Sequence, residues 1–219
     1  MLLALETSDR LCAACLMDQA TGAVVASLTL DLGRGHAEKM MDVIADVLAE
    51  AGKDYAALTG LAVCVGPGSF TGIRVALATA TGLSIALGIP VIGVTALQAL
   101  ALQALPEARG KPILSLIDAH RGDVFLQSFS GDALPADQPR QVAIEEAGKI
   151  ASAGNFHLYG SGSPLVSGLL ATEDLLPNVD AVARAALNPA MTVPAKPLYL
   201  RKPDAKPQES YTQARALRR

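Results

Sequence analysis

A glycine-rich loop between two apolar runs is the first stretch that could do chemistry, at residues 64–74, CVGPGSFTGIR. A strand that leads through such a loop into a helix is a common phosphate-binding arrangement. A P-loop requires a lysine that this loop lacks, and its three glycines are spaced two and four residues apart, which does not match the dinucleotide fingerprint. The loop taken alone is therefore predicted to be structural, with Ser69 or Thr71 capping the following helix.

Two acidic strand ends form a second candidate site. The segments LLALETSDRLCAACLM and ILSLIDAHRGDVFLQSF each combine an apolar strand, a carboxylate, a polar turn and a returning strand, and an offset of 112 residues places Glu6 on Asp118. This duplicated plan is typical of the actin, Hsp70 and sugar-kinase class of ATP-binding folds, in which the two turns hold phosphates and a metal. The residues at the two turns are Glu6, Thr7, Ser8 and Asp118.

The cysteines favour burial over metal binding. Cys12 and Cys15 have a C-x-x-C spacing but lie within LCAACLM, which is predicted to be a buried strand. Residues three apart on a strand point to opposite faces, so the two thiols cannot easily share one ligand. No second pair completes a zinc site, since the third cysteine is Cys64 in the apolar run before the glycine loop.

Composition indicates a folded globular protein, with 51% hydrophobic and 18% charged residues in a chain of 219. Residues 201–219 hold six basic and two acidic residues, whereas residues 1–200 hold 12 basic and 19 acidic ones. The body is therefore not an obvious nucleic-acid surface, and the basic tail is either a solvated terminus or a contact to a phosphate backbone or an acidic partner. The start lacks a secretion signal, and Arg74, glycines and Pro90 interrupt the most apolar run, so we expect a cytoplasmic location without a membrane span.

Apolar periodicity predicts an α/β protein with strands before and after each polar turn and helices at residues 36–51, 71–87 and 95–105. Proline and glycine cluster at residues 106–112, which marks a seam between two halves. We therefore predict a first half at residues 1–105 that carries partner-binding helices, a second and smaller half at residues 106–201, and a basic tail at residues 202–219.

The helix after the glycine loop also carries a family resemblance. GPGSFTGIRVALATATGLSIALGIPVIGVTALQALA closely resembles the signature of the bacterial TsaB (YeaZ) family. The segments LLALETS, GRGHAEKMMDVIADVLAEAG, LIDAHRGDVF and PLYLR match the family in the same order. The resemblance covers nearly all of residues 1–201, and the tail beyond is less typical.

The resemblance implies a duplicated actin-like fold of two ribonuclease-H-like halves with a degenerate nucleotide site. It further implies a non-catalytic scaffold without a cofactor, acting in the formation of threonylcarbamoyladenosine in tRNA. The partners it implies are a TsaD-like catalytic subunit, which transfers the threonylcarbamoyl group from an adenylate to the adenosine beside the anticodon, and a TsaE-like ATPase. A homodimer is expected when the partner is absent, and tRNA is reached only indirectly.

At positions where the related proteins carry metal-binding or phosphate-binding residues, this chain has different residues, which agrees with a non-catalytic role. TsaD-type subunits carry H-x-x-x-H on the corresponding helix, a spacing that places two imidazoles on one face. Here His36 is followed at that spacing by Met40, a thioether poorly suited to a hard cation. The family usually has aspartate and arginine where this chain has Glu6 and His120, so both turns depart from the family pattern.

The partner surface is predicted on the helices at residues 36–51 and 71–87. The second helix lacks a polar side, methionines on the first adapt to different partners, and small residues allow a second helix to approach. The predicted interface residues are Met40, Met41, Ile44, Val47, Leu48, Gly72, Ala76, Ala80 and Leu83. The alternative is that the two helices pack only on each other and on the sheet.

Two enzyme alternatives stay open at this point. A stand-alone actin-like ATPase or small-molecule kinase would use Glu6, Thr7, Ser8 and Asp118 as phosphate and metal residues. A peptidase would need a positioned base, and neither Ser69 nor Cys64 has a motif-linked histidine.

Overall fold

The structure is a computed structural model that describes residues 1–168 and 175–201. The described residues contain nine strands: β1 Leu2–Glu6, β2 Leu11–Met17, β3 Val24–Asp31, β4 Gly60–Cys64, β5 Val91–Val94, β6 Ile113–His120, β7 Asp123–Phe129, β8 Arg140–Ala143 and β9 His157–Tyr159. The helices of this part of the chain are α1 His36–Glu50, α2 Phe70–Leu87, α3 Ala96–Ala108, α4 Ile144–Ala153, α5 Ser163–Ser167 and α6 Val179–Ala186. The predicted basic tail lies outside the described residues.

The strands form two sheets of one plan within the described residues. The first sheet has the order β3-β2-β1-β4-β5 and the second has the order β8-β7-β6-β9. In each sheet three consecutive strands form an antiparallel meander, β1 to β3 in the first sheet and β6 to β8 in the second. A further strand pairs in parallel with the first strand of the meander, β4 with β1 and β9 with β6. The internal duplication predicted from Glu6 and Asp118 is therefore confirmed as a duplication of topology.

Helices cover both faces of both sheets. The outer face of the first sheet packs on α1 and α2, and the outer face of the second packs on α4 and α5. Between the sheets, α6 contacts the first sheet, α3 contacts the second, and the two helices pack together in one continuous core. Side chains along a strand alternate between the two faces of its sheet, so residues of β2 contribute to two different cores. Cys15 belongs to the core between the sheets, and Cys12 belongs to the core under α1 and α2.

The closing segment of the described chain joins the two halves. Val193 exchanges backbone hydrogen bonds with Gly93 of β5, and the Leu198 N–H donates to the Val65 carbonyl at 2.8 Å. Arg201 then donates to the Ala119 carbonyl of β6 at 2.7 Å. The division at residues 105 and 106 stays a prediction, and α3 continues past it to Ala108.

The glycine loop lies directly against the β1–β2 turn. An added Cβ at Gly68 would overlap the Ser8 carbonyl oxygen, and one at Gly72 would overlap the Thr7 carbonyl oxygen. The sequence prediction assigned Gly72 to the approach of a partner's helix. In the structure the missing side chain instead allows α2 to approach its own β1–β2 turn.

We expect Gly72→Ala to lower the free energy of unfolding by about 1–3 kcal/mol or more, because the obstacle is backbone that a rotamer change cannot move. Chemical denaturation followed by circular dichroism measures the change. The matched control is Gly82→Ala in the same helix, where a Cβ meets nothing within 4 Å. That variant should gain about 0.5–1 kcal/mol. Equal stability of Gly72→Ala and the unsubstituted protein would contradict the close approach.

Candidate functional site

The first acidic turn is occupied by contacts within the chain. Thr7 Oγ1 donates to the Gly72 carbonyl at 2.7 Å, and the Ser8 carbonyl accepts from the Ser69 N–H at 2.6 Å. Thr7 and Ser8 are both buried. The glycine loop therefore holds the β1–β2 turn, and it occupies the Thr7 hydroxyl, which could otherwise donate a hydrogen bond to a phosphate.

Glu6 is a buried carboxyl group with a single oxygen satisfied. It is 1% exposed, and one carboxyl oxygen accepts from the Ser8 N–H. The other oxygen, Oε2, is buried without a hydrogen-bond partner in the described part of the chain. Burial raises the pKa of Glu6 above its ordinary value of 4.5, and the opposing effects of the Cys64 and Ser8 side chains are smaller. Such a carboxyl group is a poor ligand for a metal ion, because ligation requires it to lose its proton.

The second acidic turn is open to solvent. Asp118 Oδ1 accepts from the His120 N–H at 2.7 Å, while its Oδ2 lies 3.2 Å from His120 Nδ1. The His120 side chain is 82% exposed, and its backbone adopts a left-handed conformation with φ of 60°. The two turns therefore share a topology and differ in environment, since Glu6 is inside the protein and Asp118 is at its surface.

A cleft of about 940 Å³ separates the second turn from the start of α2. Its ionisable lining residues are Asp9, Arg10, Arg74, Asp118, His120 and Arg201. Arg10 Nε is paired with Asp31 at 2.8 Å, and Arg201 donates to the Ala119 carbonyl. The cleft thus contains mixed charges, several of which are already paired.

An aromatic and guanidinium cluster lies at the mouth of this cleft. The Arg74 guanidinium carbon lies 3.6 Å from the centre of the Phe70 ring, and Arg74 Nε donates to the Tyr199 hydroxyl at 2.9 Å. The two rings are 5.0 Å apart and tilted by 30°. Sequence reasoning did not assign Phe70 or Tyr199 to a site. The available signal was that each lies within a matched segment of a chain with only eight phenylalanine and tyrosine residues.

The two candidate nucleophiles of a peptidase, Ser69 and Cys64, both have structural roles in the fold. Ser69 Oγ accepts from the Gly72 N–H at 3.2 Å, which confirms Ser69 as the cap of α2. Cys64 is 0% exposed, and burial together with Glu6 raises the pKa of its thiol well above the ordinary value. A buried protonated thiol is a poor nucleophile, so neither residue is arranged for peptide cleavage.

The metal-binding candidates are dispersed. Cys12 and Cys15 lie in different cores, and burial raises the pKa of Cys12 to about 11 and that of Cys15 to about 12. His36 begins α1 as predicted, while Met40 lies 1% exposed in the core under α1 and α2. The described residues contain no cluster of three or more histidine, cysteine, aspartate or glutamate side chains that could hold a metal ion.

Most of the predicted interface residues are buried within the chain's own core. Those at most 3% exposed are Met40, Ile44, Val47, Leu48, Ala76 and Ala80, and Gly72 is also buried. Met41 is 47% exposed and Leu83 is partly buried. A charge at Ala80 would therefore disturb folding before it disturbed association. The buried residues of this set lie on the side of α1 and α2 that packs on the first sheet.

The outward side of α2 is a different set of residues. The exposed positions from the middle of the helix to residue 87 are Ala78, Thr81, Gly82, Ile85 and Ala86, and Ile85 is 80% exposed. We call these five residues the outer face of α2. The sequence predicted no membrane span, yet among the described helices α2 alone has the length and apolar composition of one, a test that core helices also pass.

Comparison with known proteins finds similarity to proteins whose names refer to one tRNA modification. The family model described as "TsaD: tRNA N6-adenosine threonylcarbamoyltransferase" matches residues 30–167. The "tRNA threonylcarbamoyladenosine biosynthesis protein TsaB" of Escherichia coli is 31% identical over 131 residues, which span 60% of this chain and 55% of that protein.

Two further relatives are similar over nearly their whole length. An uncharacterised Mycobacterium tuberculosis protein is 33% identical over 207 residues, covering 87% of this chain and 92% of that protein. The solved structure titled "YeaZ from Pseudomonas aeruginosa" has a TM-score of 0.77 at 29% identity, and the match covers 91% of this chain and 99% of the other.

The raised pKa of Glu6 predicts a dependence of stability on pH. Between about pH 4.5 and the raised pKa, the folded state keeps a proton that the unfolded state has released, so stability falls as pH rises, by at most about 1.4 kcal/mol per pH unit. Glu6→Gln lacks this proton equilibrium. We expect its stability relative to the unsubstituted protein to improve steadily as pH rises from 4.5.

Thermal unfolding across this pH range tests the expectation. Glu50→Gln is the matched control, because Glu50 is exposed at the end of α1 and its replacement should show no comparable trend. If Glu6→Gln instead loses stability relative to the unsubstituted protein as pH rises, Glu6 is ionised in the folded state.

Proposed function

Because this chain belongs to the TsaB (YeaZ) family, we propose that it is a non-catalytic accessory subunit in the formation of threonylcarbamoyladenosine in tRNA. The names of its relatives support the pathway, and the matched family model supports kinship with the transferase. The alignment with the Escherichia coli relative spans just over half of that protein, at 55% of its length. The activity, substrates and partners of this chain are therefore proposed here.

The outer face of α2 is the observation that carries the scaffold role. A contiguous apolar strip that stays exposed on a folded chain marks an interaction site. Ile85 is 80% exposed, and the small residues Ala78 and Gly82 lie beside it on the same strip. Small side chains allow a second helix to approach closely. We propose that a TsaD-like catalytic subunit covers this face with a helix.

Helix α1 extends the proposed surface. It packs beside α2 and exposes Met41, 47% accessible, together with Ala45. Its exposed acidic residues are Glu38, Asp42, Asp46 and Glu50. The partner's helix pair should therefore combine an apolar centre with a basic rim. We therefore propose that the interface lies on these two helices, as predicted from the sequence, but that their exposed residues form it instead of the buried ones.

The other partners follow from this role. A TsaE-like ATPase would join the assembly of the two actin-like subunits, and tRNA would be contacted through the assembly. When the catalytic subunit is absent, the same outer face would pair with a second copy of the chain. We expect the protein in the cytoplasm, as predicted from its sequence.

Neither enzyme alternative is favoured by the described residues. An ATPase or kinase would need Glu6, Thr7 and Ser8 at its phosphates, and all three are buried, with Thr7 and Ser8 bonded to the glycine loop. A peptidase would need a nucleophile beside a base. Ser69 caps α2 and Cys64 is buried.

Charge insertion on the outer face tests the partner surface. We expect Ile85→Glu and Ala78→Arg to abolish co-purification of the TsaD-like subunit, because each places a charge at the centre of an apolar contact. Both positions are exposed, so circular dichroism and the melting temperature should be unchanged. Ala153→Arg on α4 is the matched control, since it adds the same charge to an exposed helical alanine elsewhere. Normal co-purification of both folded outer-face variants would place the interface elsewhere.

Depletion of the protein tests the pathway. We expect the threonylcarbamoyladenosine content of bulk tRNA to fall, as measured by mass spectrometry of digested tRNA. The unsubstituted protein and Ala153→Arg should restore the nucleoside, whereas Ile85→Glu should not, because the scaffold role requires association. An unchanged nucleoside content after depletion would refute the assigned pathway.

A further inference from the structure

A second depression lies beside Arg201, at the point where the description of the chain stops. Its volume is about 570 Å³. Apart from Leu200 and Arg201, it is lined by Asp123 of β7, by residues 141–143 of β8 and by Glu146 of α4. We call it the β8–α4 groove. No residue of α2 lines it, so the proposed partner surface does not account for it.

The course of the closing segment leads the chain into this groove. Leu198 and Tyr199 line the large cleft and not the groove, whereas Leu200 and Arg201 line both. Arg201 is fixed at this place, because its guanidinium donates to the Ala119 carbonyl at 2.7 Å. Residue 202 therefore begins at the groove. An occupant that follows directly in the same chain reaches it at a small cost in loop-closure entropy.

The charges of the groove suit a basic occupant. The predicted tail at residues 202–219 holds five basic and two acidic residues. Glu146 is exposed, and its carboxylate makes no ion pair or hydrogen bond to a described residue, whereas the neighbouring Glu145 is paired with Lys149 at 2.8 Å. Among the described residues that line the groove, Arg201 is the one cation. An acid without a partner thus lies next to the start of a basic segment.

The other acidic surfaces suit the start of the tail less well. The large cleft contains the guanidinium groups of Arg10 and Arg74, which repel lysine side chains at close range. The acidic side of α1 covers the outer face of the first sheet, whereas Arg201 lies against β6 and close to β7 of the second sheet. The groove is therefore the acidic surface that the first tail residues meet.

The sequence of this first part favours an extended chain. Residues 202–207 read KPDAKP, and each proline biases the lysine before it away from helical conformation. The groove adjoins β8, an edge strand that pairs with β7 alone among the described strands. Pro203 and Pro207 are four residues apart, so on an extended segment beside β8 both can turn the side that lacks an N–H to solvent. The five residues from 202 to 206 span at most about 18 Å, which keeps both lysines near the groove.

We propose that the β8–α4 groove binds residues 202–207 of the same chain in an extended conformation, with lysine side chains at the carboxylates of Glu146 and Asp123. This segment continues the closing segment, which is already bonded to Val65 in the first half and to Ala119 in the second. Its attachment straps α4 to that crossing and restrains the separation of the halves at the cleft. The proposal does not rest on the proposed function.

Disulfide trapping in the full chain tests the placement. The three native cysteines are buried, so an introduced pair reports on itself. We expect Ala143→Cys combined with Ala205→Cys to form an intramolecular disulfide about tenfold or more faster than Ala45→Cys combined with Ala205→Cys. Ala143 lies in the groove and Ala45 lies among the acids of α1, and both are exposed alanines, so the second pair is the matched control. Peptide mass spectrometry under non-reducing conditions measures both rates at low salt.

Charge reversal tests the attachment. Adding Glu146→Lys to the groove pair should slow its trapping about tenfold, whereas adding Glu50→Lys should not, and 1 M salt should weaken the difference. A dye on Ser210→Cys provides a second measurement, since Glu146→Lys should lower its fluorescence anisotropy and Glu50→Lys should leave it unchanged. All replaced positions of the described chain are exposed, and circular dichroism checks that each variant is folded.

Three results would overturn the proposal. Equal trapping of the two pairs would show that the groove does not hold the tail. Faster trapping at Ala45 would assign the tail to the acidic side of α1. Trapping at Ala143 and dye anisotropy that are both insensitive to Glu146→Lys would exclude the charged attachment. Co-purification of the TsaD-like subunit should be normal for Glu146→Lys, and its loss would place the groove in the partner surface and overturn its assignment to the tail.

Discussion

The contact between the glycine loop and the β1–β2 turn determines the arrangement of the first half. Gly68 and Gly72 lie against two successive carbonyl oxygens, and backbone and side-chain hydrogen bonds from Ser69 and Thr7 join the same two segments. Any Cβ at these positions would separate the segments. The start of α2 is thereby held at the edge of the first sheet, which places Phe70 and Arg74 at the cleft and covers the turn that would otherwise face a phosphate.

That contact also explains why duplicated halves differ in chemistry. The two sheets share one plan, and each has a carboxylate at the corresponding place. Glu6 is buried behind the glycine loop, whereas Asp118 remains at the surface with His120. Burial raises the pKa of Glu6, so the acid of the first turn holds its proton more tightly than a solvated glutamate and is less suited to phosphate and metal chemistry. The two turns therefore differ through packing as well as through residue type.

Sequence patterns predicted the fold well and the site incompletely, for physical reasons. The apolar run DVFLQSF identified β7 at its observed bounds, and the offset between Glu6 and Asp118 predicted the duplicated topology. The short strand β8 and helix α5 were missed, since four or five residues carry little periodicity. Helix α2 is apolar on every side, so its sequence cannot show which side meets the sheet. Burial of Ala76 and Ala80, and exposure of Ala78 and Ile85, required the structure.

The low polarity of α2 reflects several demands on one helix. Its inner side packs on the sheet through Ile73 and Ala76, and its first turn needs a glycine against the backbone of Thr7. Its outer face needs apolar or small residues if another helix is to lie there. An 18-residue helix extends about 27 Å at 1.5 Å per residue, so these demands are separated along its length as well as around it. Arg74, the one charged residue of α2, lies where neither demand applies, beside the cleft. The composition that resembles a membrane span is therefore accounted for by one buried side and, under the proposed function, one side that a partner covers.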